Sequence, residues 1–200
     1  MTDNNEVANE KARKRQEAKS KIMAEKTIEK GLIIVHTGNG KGKSTAAFGM
    51  AMRAIHQKMK LGIVQFIKGK WQSGERDILE RYTDLVEIKA MGEGFTWNTQ
   101  DRERDIKMAE AAWAEAKRMI LDSTYKMIIL DEINIALRYD YLPIADVVGT
   151  LQQKPLMTHV VLTGRNAKPE LIECADLVTE MTMIKHPFRA GVKAQAGIEF

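Results

Sequence analysis

Eleven residues, Val35-His36-Thr37-Gly38-Asn39-Gly40-Lys41-Gly42-Lys43-Ser44-Thr45, combine three glycines, two lysines and two adjacent hydroxyls. Glycine lets the backbone bend until several N–H groups face one anion. A helix opening near Ser44 adds the positive end of its dipole. Lys43 then supplies a point charge to phosphates, and the Ser44 hydroxyl can bind magnesium. The candidate nucleotide contacts are Gly38, Asn39, Gly40, Lys41, Gly42, Lys43, Ser44 and Thr45. One departure stands out. The usual spacing places a glycine five residues before Gly42, and Thr37 is there instead. A lysine- and glycine-rich surface turn is the plain alternative, but a strand before the loop and a helix after it favour phosphate binding.

A second half-site follows later in the chain. Met127-Ile128-Ile129-Leu130 reads as a central strand, and Asp131 and Glu132 come at its carboxyl end. Ligands of open α/β sheets collect at that edge, where a carboxylate can hold magnesium directly or through water. A solvated strand end or helix cap is the competing reading. Arg165 leaves another expected strand at the same edge and is a candidate phosphate contact. Arg53, on a helix, is a weaker one. His36, His56, His159 and His186 show no metal-ligand spacing. Cys174 reads as a small buried hydrophobe, and the twelve methionines as core gap-fillers.

The elements that must position these groups are legible as patterns. Leu32–Val35, Leu61–Ile67, Leu85–Ile88, Met127–Leu130 and His159–Leu162 are expected strands, and Leu177–Ile184 a sixth. Apolar residues at Ala47, Phe48, Ala51, Met52 and Ile55 give a helix over Ser44–Lys58. The spacing of Ile106, Ala109, Trp113, Ala116 and Ile120 predicts a long helix over residues 100–121. Pro143 suits the first turn of another, reaching about Gln153. Strands alternating with helices imply an α/β fold with a mostly parallel sheet flanked by helices.

Length and composition bound the rest. Two hundred residues leave room for one ordinary domain, expected at 31–200, after a charged helical leader at 1–30. The leader is rich in Ala, Lys, Glu and Arg, with sparse apolar residues; it is either a frayed tail or a segment that orders over a site or a partner subunit. One cysteine excludes an internal disulfide. No apolar run is long enough for a membrane span, and no signal peptide is evident, so a cytoplasmic protein with no membrane partner is expected. The net charge is +4, and the leader, with eight Lys/Arg against six Asp/Glu, carries half of it. Mixed signs throughout argue against a nucleic-acid partner. These residues alone describe a nucleotide-binding protein, and most chemistry at such loops is phosphoryl transfer, so a kinase or ATPase remains open.

The loop Thr37–Gly49 resembles that of the ATP:corrinoid adenosyltransferases of cobalamin synthesis and salvage. Val64-Gln65-Phe66-Ile67-Lys68-Gly69, Gly74-Glu75-Arg76, Gly94-Phe95-Thr96-Trp97, Leu130-Asp131-Glu132, Tyr139-Asp140-Tyr141-Leu142 and Thr163-Gly164-Arg165 match in order. The endings Lys185-His186-Pro187-Phe188 and Ala190–Glu199 also resemble the family's. The resemblance implies a P-loop NTPase-like (RecA-like) fold. It implies transfer of the 5′-deoxyadenosyl group of ATP to cobalt(I) of a corrinoid, with triphosphate leaving. It carries magnesium roles onto Ser44, which the family usually fills with Thr, and Glu132. Arg53 and Arg165 take nucleotide contacts, and Lys43 a catalytic one. Phe95 and Trp97, which composition alone would bury in the core, are implied to lie against the lower corrin face and exclude its axial base. A cobalt lacking that ligand is easier to reduce. A reduced flavoprotein donor and a homodimer are implied too. Neither the resemblance nor the residues choose between cobalamin, cobinamide and cobyrinic acid diamide.

Overall fold

Parallel strands covered on both faces read as unbroken apolar runs, and such segments, with one exposed edge strand, assemble into a six-stranded sheet. A computed structural model of the chain describes residues 2–67, 74–91 and 101–198. The strands are β1 (Ile33–Thr37), β2 (Leu61–Gln65), β3 (Val86–Ala90), β4 (Met127–Asp131), β5 (His159–Thr163) and β6 (Leu177–Glu180). They lie in the order β3-β2-β4-β5-β1-β6, and every pairing is parallel. All carboxyl ends therefore share one edge. The loop after β1 and the carboxylates at the carboxyl end of β4 both open there, with β5 between them.

Alternation along each strand divides the core in two. Val35, Val64, Ile128, Leu130, Val160 and Leu162 face one side. There they meet α4 (Arg102–Leu121), α5 (Ile133–Arg138), α6 (Ile144–Gln152) and α7 (Pro169–Cys174). Ile34, Ile63, Ile129 and Val161 face the other side, against α2 (Lys43–His56) and Leu79 of α3 (Gly74–Leu79). The α4 stripe is the expected one: Ala109, Trp113, Ala116 and Ile120 are all buried. Asp101 begins that helix by accepting a hydrogen bond from the Arg104 N–H at 3.1 Å.

The boundaries shift in physical ways. β1 runs to Thr37 rather than Val35, carrying the strand up to the first loop glycine. β2 stops at Gln65, short of Ile67, and β6 at Glu180, short of Ile184. Among the described residues β6 is an edge strand, and its four residues are all exposed. The helices α3 and α5 were not expected. Each has six residues, too few for a helical period to emerge. Cys174 is half-buried against the first core, and its thiol donates to the Leu171 carbonyl at 3.4 Å.

Internal contacts divide the chain into two units, residues 1–30 and residues 31–200. The first is built on α1 (Thr2–Ala24), which starts earlier and ends earlier than the composition suggests. Its described side chains are exposed, and Glu10–Lys14 and Arg13–Glu17 pair one turn apart. Such pairs contribute only about 0.2–0.5 kcal/mol each.

Candidate functional site

The loop 38–42 sits between β1 and α2, where a phosphate loop must. Its closeness to β6 explains the glycines. A Cβ on Gly38 would come within 2.5 Å of the Met181 carbonyl oxygen, and Gly38 has a φ of 92°. The Gly40 N–H donates to that same carbonyl at 2.6 Å. The departure at Thr37 is explained as well. Thr37 is the last, buried residue of β1, and its hydroxyl accepts from the Ala167 N–H at 3.0 Å. The left-handed turn has moved one residue on, to Gly38.

Lys43 opens α2 and is buried; its ammonium donates to the Gly40 carbonyl at 2.6 Å. Burial lowers its pKa, the Glu132 carboxylate opposes that, and Arg165 and Lys41 add to it. These four charges therefore meet at one edge. Ser44, half-buried, follows in the first turn, and Thr45 beside it is exposed.

The two carboxylates at the carboxyl end of β4, Asp131 within it and Glu132 just after, have different surroundings. Asp131 is buried; one oxygen accepts from the Thr163 hydroxyl at 2.8 Å and the other from Gln65 Nε2 at 3.3 Å. Each of its oxygens thus helps to orient a neighbour. The Thr163 hydroxyl in turn accepts the Glu132 N–H at 2.9 Å. Glu132 takes a left-handed backbone, φ 61°, just before α5. Burial, and then the charge of Asp131, push its carboxyl up to about 7, while Lys43 and Arg165 pull it down. A poorly solvated carboxylate beside a second one, with a hydroxyl available on Ser44, suits a cation. Among the described residues no three His, Cys, Asp or Glu side chains converge as a metal cage. The donors fit magnesium, which takes one or two protein oxygens and completes its shell with nucleotide phosphates and water.

Arg165 is exposed and electrostatically coupled to both Lys43 and Glu132. Arg53 is not gathered with them. It lies exposed in the last turn of α2, about 15 Å along the helix axis from Lys43. Phe95 and Trp97 lie outside the described residues. Sequence reasoning missed Thr163, Gln65, Asn134 and the anchoring role of Thr37, because their partners are distant in the chain. The available signals were Thr37, a non-glycine where glycine is usual, and the family-like segments that contain Gln65 and Thr163.

The fold is the expected one, a parallel sheet flanked by helices with the glycine loop between its first strand and the following helix. No helix among the described residues is long and apolar enough to cross a membrane. A family model described as ATP:corrinoid adenosyltransferase BtuR/CobO/CobP matches residues 29–200. The chain is similar to a corrinoid adenosyltransferase of Sinorhizobium sp, at 61% identity over 95% of this chain and 90% of that protein. It is also similar to one of Pseudomonas aeruginosa, at 50% identity over 94% and 95%. A solved structure of the RadB recombinase superposes with a TM-score of 0.45 and 12% identity, over 80% of this chain and 78% of that one. With nearly its whole length matched at such identity, the chain belongs to the ATP:corrinoid adenosyltransferase family and is a transferase.

Proposed function

We propose that the chain transfers the 5′-deoxyadenosyl group of ATP to cobalt(I) of a corrinoid and releases triphosphate. The observation that carries this reading is the meeting of Lys43, Arg165 and Glu132 at the mouth of a glycine loop, in a chain of this family. In such a reaction the cobalt(I) electron pair attacks the 5′ carbon. The carbon–oxygen bond breaks, and its electrons leave on the triphosphate.

Negative charge therefore grows on the leaving group, and the reading assigns the chain's donors to it. Lys43 and the loop N–H groups other than that of Gly40, which is given to the Met181 carbonyl, hold the phosphates, and Arg165 approaches from the end of β5. Ser44 and Glu132 are the residues that would hold magnesium. Bound with the nucleotide, that ion supplies further neutralisation of the triphosphate. Asp131 holds Thr163, and Thr163 holds the Glu132 backbone, so the carboxylate is placed before substrate arrives. The reading assigns Arg53 a nucleotide contact on the family resemblance. It assigns Phe95 and Trp97 the lower corrin face, where they exclude the axial base and ease reduction of cobalt. The cobalt is the substrate's own. A reduced flavoprotein as donor and a homodimeric assembly complete the reading. A cytoplasmic setting completes it too.

Incubation with magnesium, ATP and a chemically reduced corrinoid tests this. A cobalt–carbon product, seen as a light-sensitive spectrum, is expected. Folded protein that yields none contradicts the proposal. Phe95→Ala or Trp97→Ala should slow turnover of cobalt(II) substrate far more than of pre-reduced cobalt(I). Equal losses on both would remove the axial-ligand role.

A further inference from the structure

Arg165 leaves β5 within the segment Thr163-Gly164-Arg165-Asn166-Ala167. Gly164 and Asn166, on either side of it, both have left-handed backbones, with φ of 126° and 55°. Glycine adopts such a backbone freely and asparagine at low cost, so outside contacts must fix this turn. Two side chains do so, one on each flank. Asn134 Nδ2, fully buried in α5, donates to the Gly164 carbonyl at 3.0 Å. The Ala167 N–H donates to the Thr37 hydroxyl at 3.0 Å. Arg165 thus stands between two anchors, one at the end of β1 just before the glycine loop and one in the helix that follows β4. A glycine at position 37 would leave the Ala167 N–H without that acceptor.

We propose that Thr37 and Asn134 are positioning residues that hold the backbone of Arg165 so that its guanidinium meets the nucleotide's phosphates; this rests on the phosphate-contact reading of Arg165. An exposed arginine has many rotamers, and its charge acts at a defined phosphate only when its own backbone is fixed. The anchors provide that fixity without touching the ligand.

The test is a double-mutant cycle on magnesium–ATP affinity, measured by calorimetry without corrinoid, with Tm recorded for each protein. Arg165→Ala should weaken binding about tenfold. Thr37→Val, an isosteric change that removes only the hydroxyl, should weaken it about fivefold, and Thr37→Ser should restore it. In the Arg165→Ala background, Thr37→Val should add no further loss, because its effect acts through the arginine. Should Thr37→Val lower Tm enough to confuse the result, Asn134→Ala enters the same cycle. Wild-type affinity in Thr37→Val, or losses that multiply in the double variant, overturns the proposal. Wild-type affinity in Arg165→Ala overturns the phosphate-contact reading itself and the proposal with it, a separate and recognisable outcome.

Discussion

His36 carries both ring nitrogens into the interior of β1, where neither has a hydrogen-bond partner among the described residues. Burial lowers its pKa below the usual 6.5, so the folded protein holds the neutral ring. The sign follows from linkage. The unfolded chain takes up a proton near pH 6.5 and the folded chain resists it, so stability is lost as pH falls below that value. His159, also lowered by burial, acts in the same direction. Replacing His36 by Leu should raise stability on the order of 1 kcal/mol. It should also narrow the difference in Tm between pH 7.5 and pH 5.5. An unchanged pH dependence would show that His36 finds a partner in solution. At the same scale, Lys43→Ala should reduce turnover roughly 10²–10³-fold through lost leaving-group stabilisation. Near-normal turnover would contradict the loop assignment.

The carboxyl ends of β4 and β5 behave as one unit. Thr163 joins Asp131 to the Glu132 backbone, and Asn134 holds Gly164. Gly164 is required there for two reasons. Its φ is 126°, and a Cβ would lie 2.8 Å from the Asn134 Cβ and 3.1 Å from Glu132 Oε2. Gly164→Ala should cost about 1–3 kcal/mol of stability and weaken ATP binding by displacing Glu132. Denaturant titration and calorimetry read the two effects, and stability equal to wild type would show that this junction yields easily. Little of this unit was legible in the sequence. The apolar runs at Ile128–Leu130 and Val160–Leu162 reveal strands because both faces are buried. The stripe from Ala109 to Ile120 reveals a helix because only one face is. The glycines, Lys43, Glu132 and Arg165 are legible because their chemistry is local or their spacing recurs. Thr37, Gln65, Asn134 and Thr163 act through partners 30 to 130 residues away, and a threonine bonded across the sheet carries no local pattern.

At the scale of the whole molecule, the described buried apolar residues all lie between Ile33 and Leu171, within the second of the two units. A protein lacking residues 1–25 should therefore keep its Tm within a few degrees. If the leader closes over substrate, that protein should lose corrinoid affinity while retaining ATP affinity; unchanged corrinoid binding would make the leader idle. The net charge of +4 acquires a different meaning from the one composition suggests. On the proposed reading the positive groups that meet substrate are Lys41, Lys43 and Arg165, which act electrostatically on one another or on Glu132 at one sheet edge. The proposed reaction releases triphosphate intact, and the fate of the phosphates decides between attack at carbon and attack at phosphorus. Phosphorus NMR of a turnover mixture containing ATP, magnesium and reduced corrinoid reads that fate directly. The account predicts inorganic triphosphate in equal amount to the new cobalt–carbon bonds; ADP and orthophosphate in its place would contradict it.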